Sequence, residues 1–147
     1  MNTDLLSMTG PVPLKNILAL ENELRKLPQI EPQITSHFSE GVYAREMFMP
    51  KGATVTGKIH KRRNMNILVK GEVSVTTDIG VVRVRAPFIV VSPPGVKRAA
   101  YAHEDSIWVT IHGTHETDLA ALESEFTAES PEDYLAYANA QLALGSN

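Results

Sequence analysis

The stretch GATVTGKIHKRRNMNILVKG, residues 52–71, decides how this chain reads. A β-branched run ends on one histidine, His60; the basic turn Lys61-Arg62-Arg63 follows; a second apolar run then closes on Gly71. Two short runs of this kind, joined by a polar turn and bounded by glycine, are the grammar of paired strands rather than of a helix. Lys58 stands two residues before His60 and Asn64 four residues after it, so the segment offers one ammonium, one imidazole and one amide.

The same grammar continues outward. VYAREMFM, residues 42–49, stops at Pro50-Lys51-Gly52; ATVTGKIH, NILVKGEVSVTT, VVRVRAPFIVVS and SIWVTIH follow, the last ending at His112. Five closely spaced runs with Gly, Pro and Asp breaks predict a mainly β domain, a small antiparallel sandwich or barrel, rather than alternating βαβ units. Asp78-Ile79-Gly80 is the expected tight hairpin, because Asp and Gly tolerate positive φ. In SIWVTIH, Ile107, Val109 and Ile111 share one face while Trp108, Thr110 and His112 share the other. Both faces carry apolar bulk, so this strand is expected to be covered on both sides, with Trp108 and Tyr101 in the core and His112 able to line a cavity.

Helical signals flank the β region. LKNILALENELRKL, residues 14–27, spaces Leu14, Ile17, Leu18, Leu24 and Leu27 near the helical period between Pro13 and Pro28, and QIEPQITSHF then reads as an extended lead-in. TDLAALESE, residues 117–125, is moderately helical, and Ser130-Pro131-Glu132-Asp133 supplies an N-cap, a proline at the first helical position and acids in the first turn. The expected organisation is a single domain: an N-terminal helix and extended segment over 1–41, a barrel over 42–115 and C-terminal helices over 116–147. Such terminal helices cover a sheet face or edge, or dock a second copy or another protein.

The 147 residues are about one domain's length, and at 43% hydrophobic the chain can bury one core. A formal charge of -3 gives no whole-chain signal for nucleic acid or an anionic membrane. The absence of cysteine excludes a disulfide framework, a thiolate metal site and a thiol nucleophile. The opening MNTDLLSMTGPVP has no basic segment or apolar run of signal length, and no run approaches the ~18 apolar residues of a membrane span, so a soluble, cytoplasmic chain is expected.

With these residues on the page, the chain resembles the cupins, small double-stranded β-helix (jelly-roll) domains. Their first motif, G-x5-H-x-H-x3-E-x6-G, has the spacing of Gly52, Lys58-Ile59-His60, Asn64 and Gly71, and their second, G-x5-P-x-G-x2-H-x3-N, that of Pro87, Pro93-Pro94-Gly95, Arg98 and Ala102. The resemblance covers about residues 42–112 and rests on that spacing and on Gly52, His60, Gly71, Pro93 and Gly95. It implies a cupin-like barrel in which Lys58 and His60 point inward together, with Asn64 and Arg98 entering from neighbouring strands. In metal-binding cupins these four positions supply His, His, Glu and His to iron, manganese, nickel or zinc. This chain has one of the four ligands, and each cation placed ~4 Å from a divalent metal is repulsive by about 8 kcal/mol at an effective dielectric near 20. No metal and no other cofactor is therefore expected. His37, His103 and the His112-x-x-His115 pair offer no third ligand and read as surface or hydrogen-bonded histidines.

Lys58, His60, Asn64 and Arg98, with His112, form the expected ligand-binding set. Two fixed positive charges suit a small anion, a carboxylate or phosphate, with Arg98 able to grip it bidentately. The alternative is that Lys58 and Arg98 pair with internal carboxylates such as Glu46 or Glu72, or snorkel to the barrel mouth. Lys61-Arg62-Arg63, and Arg83 with Arg85 on one strand face, are either solvated surface or a basic rim that steers an anion. Tyr101 and Trp108 are too few for a base-stacking platform, which argues against nucleic acid. The leading expectation is a binding module or assembly component without turnover, similar to small cupins of bacteria and tailed phages and hence cytoplasmic or virion-associated. It is also expected to be a homo-oligomer, pairing through a sheet edge or through residues 29–40, with a protein partner on the terminal helices as a further option. The alternative is a metal-independent epimerase, isomerase or lyase using His60 as acid/base, and third comes a metal-dependent oxygenase or isomerase.

Overall fold

In the computed structural model, which describes residues 12–29 and 31–145, the β runs resolve into two antiparallel sheets. The five-stranded sheet has the order β1 (Gln33–Ser39), β2 (Val42–Met49), β10 (Ser106–Gly113), β5 (Asn64–Lys70) and β8 (Phe88–Ser92). The four-stranded sheet runs β3 (Thr54–Thr56), β9 (Ala99–Ala102), β6 (Glu72–Thr77) and β7 (Gly80–Arg85). A short ladder pairs β4 (Ile59–His60) with β11 (Thr127–Ala128). The two larger sheets meet through Met49, Leu68 and Trp108 on one side and Val73, Val75 and Ala102 on the other. Side chains of both inner faces thus fill one jelly-roll core.

Three runs read from the sequence as continuous are each cut in two. NILVKGEVSVTT divides at Gly71, so that β5 and β6 lie in different sheets. VVRVRAPFIVVS divides at the cis Ala86–Pro87 peptide, separating β7 from β8 in the same way. ATVTGKIH divides at Gly57-Lys58, because β3 pairs with β9 while β4 pairs with β11. The lead-in holds a full strand, β1, paired with β2 along its whole length, and a further strand, β9, forms where the sequence pattern gives no strand signal. The Asp78-Ile79 hairpin forms between β6 and β7, but the positive φ falls on Gly80 and not on Asp78.

Helix α1 (Leu14–Leu24) ends three residues short of the expected boundary. It lies against β3, burying Ile17 and directing Glu21 to Thr56 Oγ1 at 2.7 Å and Lys97 Nζ at 2.8 Å. Burial works against the charged form of Glu21, but Lys97 and Thr56 outweigh it and hold the carboxyl below its ordinary range. Helix α2 (Leu119–Phe126) starts on Asp118, whose carboxylate accepts from Ala121 N at 2.9 Å. Helix α3 (Pro131–Gly145) starts as the sequence predicts, with Ser130 Oγ accepting from Asp133 N at 3.1 Å. Among the described residues no helix is long and apolar enough to cross a membrane. Most of MNTDLLSMTGPVP lies outside the described residues.

The two glycines that bracket the opening stretch both have positive φ, +88° at Gly52 and +92° at Gly71, but their surroundings differ. A Cβ on Gly52 meets nothing within 4 Å, whereas one on Gly71 would sit 2.2 Å from Ser106 Oγ and 2.6 Å from the Asp105 carbonyl oxygen. Gly52→Ala should therefore cost only the left-handed strain, about 1–2 kcal/mol. Gly71→Ala adds overpacking against backbone and should cost about 3–5 kcal/mol. Denaturant midpoints of the two variants check the ordering, and equal losses would refute it.

Candidate functional site

The lumen has an apolar half and a polar half. At the polar end, β5 turns Asn64 and Asn66 inward, β8 turns Ser92, and β10 turns Thr110 and His112, all buried. Asn66 joins them: Nδ2 donates to Asn64 Oδ1 (2.8 Å) and Ser92 Oγ (2.9 Å), while Oδ1 accepts from Trp108 Nε1 (3.1 Å) and Thr110 Oγ1 (2.9 Å). Arg98 Nε donates to the same Ser92 hydroxyl at 2.9 Å, and Arg98 also donates to the Thr76 carbonyl. The imidazoles of His60 and His112 stack with centroids 5.6 Å apart.

Four of the five residues singled out in the sequence, His60, Asn64, Arg98 and His112, thus converge; Lys58 does not. It lies in the break between β3 and β4, where the two-residue strand period no longer ties it to His60, and its ammonium bonds outward to Glu123 and Glu129. Glu46 and Glu72, weighed as internal partners for the cations, are engaged on the outside: Glu46 with His37 at 3.0 Å, Glu72 with Arg83 and Arg85. Tyr101, expected in the core, is in register with Ser74 on the outer side of the four-stranded sheet and meets His103 edge-on at 4.9 Å. Asn66, Ser92 and Thr110 went unrecognised as site residues. The available signal was the alternation Asn64-Met65-Asn66, which sends two amides to one face.

The polar end is closed by α2. Phe126 stacks on His112 at 4.3 Å and clusters with buried Leu122 and Tyr43, while β11 continues from the helix into backbone pairing with β4. Each buried apolar side chain contributes about 1.5–3 kcal/mol. Ion pairs from Lys58 to Glu123 and Glu129 and from Arg62 to Glu125 at 3.1 Å add to the attachment, as does a hydrogen bond that Lys61 Nζ donates to the Ser124 carbonyl at 2.8 Å. These contacts are exposed and worth at most about 1 kcal/mol each, so the closure depends mainly on Leu122 and Phe126. Of the basic turn, read from the sequence as solvated surface or a steering rim, Arg62 is thereby paired with Glu125 and Lys61 with a backbone carbonyl. An open cleft of about 770 Å³ lies outside the barrel between Lys61-Arg62-Arg63 and the Tyr134 and Tyr137 rings of α3, away from the imidazole pair.

Nδ1 of His60 and Nδ1 of His112 are buried without a hydrogen-bond partner. Burial is the main reason that both imidazoles are depressed to about 4; the neighbouring His112, Arg45 and Arg98 add to the effect at His60, and Arg45 and Arg62 at His112. Both are neutral at pH 7. His60 is therefore a weak base there, and no carboxylate touches it among the described residues.

The positions that hold a metal in the cupin pattern do not fit one here. Lys58 faces away, Asn64 is committed to Asn66 and the Arg62 carbonyl, and Arg98 brings a cation. Among the described residues no three His, Asp or Glu side chains converge in a metal-binding group. Two imidazoles flanked by guanidinium charge are a poor cradle for a divalent ion.

The depressed imidazoles predict acid sensitivity. Below pH 6.5 the unfolded chain takes up protons that the folded barrel refuses until about pH 4, so stability is full above pH 6.5 and falls through that window. The loss for one such imidazole is about 3 kcal/mol. Melting curves of wild type, His60→Asn and His112→Asn between pH 7 and 4 check this: each variant should show a shallower decline, and parallel curves would refute the assignment.

No protein-family model matches the chain, and no curated protein does. Among solved structures it is similar to an uncharacterized conserved protein with a double-stranded beta-helix domain from Klebsiella pneumoniae, at 17% identity, 59% of this chain, 81% of that one and a TM-score of 0.49. It is likewise similar to KdgF from Halomonas sp. (20% identity, 60% and 87% covered, TM-score 0.48) and to a cupin superfamily protein from Desulfitobacterium hafniense (15% identity, 73% and 98% covered, TM-score 0.46). With two facing antiparallel sheets packed around one core, the protein is a small jelly-roll β-barrel.

Proposed function

We propose that the barrel is a metal-free binding module that holds a small anion, a carboxylate or phosphate, at the polar end of its lumen beside Arg98, His60 and His112. The observation that carries this reading is Arg98. Its guanidinium is half-buried, and its bonds go to neutral oxygens of Ser92 and Thr76, with Asp78 acting only through its field. Burial disfavours its charged form, yet a guanidinium stays protonated in proteins, so an anion beside it would recover much of the desolvation cost. The unpartnered Nδ1 atoms of His60 and His112 could hydrogen-bond the same guest, and a bound anion would raise both imidazoles back toward their ordinary range.

A second reading, an assembly component that acts through its surface, is favoured by Phe126 and Leu122 closing the lumen. The two readings part at that closure. Phe126→Ala removes the ring on His112 and should cost about 3–5 kcal/mol of stability. If the lumen binds an anion, the same variant should respond more strongly to ligand; if the lumen is only a core, it should lose stability without gaining any response.

The direct test is a thermal-shift screen of wild type against inorganic phosphate, sugar phosphates, nucleotides and small dicarboxylates. A ligand at 100 times its Kd stabilises the folded state by about 2.7 kcal/mol, which is several degrees for a domain of this size. Arg98→Ala should abolish the response. A screen without a hit, or a response that survives Arg98→Ala, would sink the anion reading.

A further inference from the structure

The five-stranded sheet is built with its polarity reversed along β5, β8 and β10. An antiparallel sheet with one face to water turns apolar side chains in and polar ones out. Here the inward set at the polar end is Asn64, Asn66, Ser92, Thr110 and His112, while the outward set is Met65, Ile67, Val69, Ile89, Val91, Ile107, Val109 and Ile111. The registers assemble the outward set into rows across the sheet: Ala44, Ile111, Met65 and Val91 in one; Val109, Ile67 and Ile89 in the next; Phe48 and Ile107 in a third, beside Val69 at the bulge. The described helices leave the patch open, since Ile89 is 61% exposed, Val69 49%, Val91 44% and Met65 43%. Two charged residues fall within these rows: Glu46, in register with Val109 on β2 and bonded to His37, and Lys70, in register with Ile107 at the end of β5.

We infer that this outer face is the interface with a second copy of the chain, sheet against sheet. Four strands at ~4.8 Å spacing and three rows at ~6.8 Å make a patch about 20 Å on a side, roughly 400 Å² in projection. Side-chain relief makes the accessible area larger, so two such faces together bury on the order of 1,000 Å², the smallest area at which a specific interface is expected. A flat aliphatic sheet face is complementary to itself about a two-fold axis, with the two sheets ~10 Å apart and their strands within ~30° of each other. This arrangement differs from the expected edge pairing through residues 29–40, since it uses the sheet's outer face and not the open edge of β1. The inference is independent of the anion reading, which concerns the opposite side of the same strands.

Light scattering on size-exclusion fractions of the full chain, from about 1 to 200 µM, tests it. The expected wild-type mass is twice the 16.1 kDa chain. Ile89→Lys and Ile67→Glu should each halve it, whereas Ile79→Glu, in the exposed β6–β7 hairpin, should leave it unchanged. Ile89 is exposed enough for lysine to be tolerated in the folded chain, and a cooperative melt verifies that. Met65 gives a second readout: peroxide oxidation at high protein concentration should be several-fold slower in wild type than in Ile89→Lys. A monomeric wild type, a dimer that survives both face substitutions, or equal oxidation rates would overturn the inference. Thermal-shift responses to anions should be the same in Ile89→Lys as in wild type.

Discussion

Asn66 uses all four of its hydrogen-bonding positions inside the barrel, and the arrangement of the polar end depends on it. Its amide donates to β5 through Asn64 and to β8 through Ser92; its oxygen accepts two donors from β10. Three strands of one sheet are therefore tied on their inner face by side chains as well as by backbone. A buried amide left half-satisfied costs about 1–3 kcal/mol, so the network specifies the inward rotamers of its neighbours together. Through Ser92 it also orients Arg98, the one cation from the cupin-spaced positions that turns inward.

That constraint has an outward consequence. Once Asn64, Asn66, Thr110 and His112 take the inner face, the period of two sends Met65, Ile67, Val109 and Ile111 to the outer one. The same alternation thus makes a polar lumen and an apolar exterior. The lumen is sealed by Phe126 and Leu122 from α2, and the basic turn of residues 61–63 serves that closure by binding the helix and its flanks.

Several features were legible because they are local. The bounds of β2, the N-cap at Ser130, the inward face of His112 and the turns at Gly52 and Gly71 follow from short-range chemistry. Others depended on partners far along the chain. Lys58 was assigned inward by a period that holds only within a continuous strand, and Gly57-Lys58 breaks it because β3 and β4 pair with different partners. Asn66 and Ser92 look like ordinary polar residues until strands 26 residues apart are laid side by side.

The sequence by itself determined the pattern of short β runs broken by glycine and proline, and that of the four cupin-spaced positions only His60 holds the residue type that binds a metal in that pattern, because residue type and spacing carry that information directly. Only the tertiary structure decided which cations face inward, that Glu123 and Glu129 pair with Lys58 and Glu125 with Arg62, and that Phe126 covers His112. The physical reason is that these contacts join different elements, from 6 residues apart for Arg98 and Ser92 to 65 for Lys58 and Glu123, through burial and charge pairing that no local period encodes.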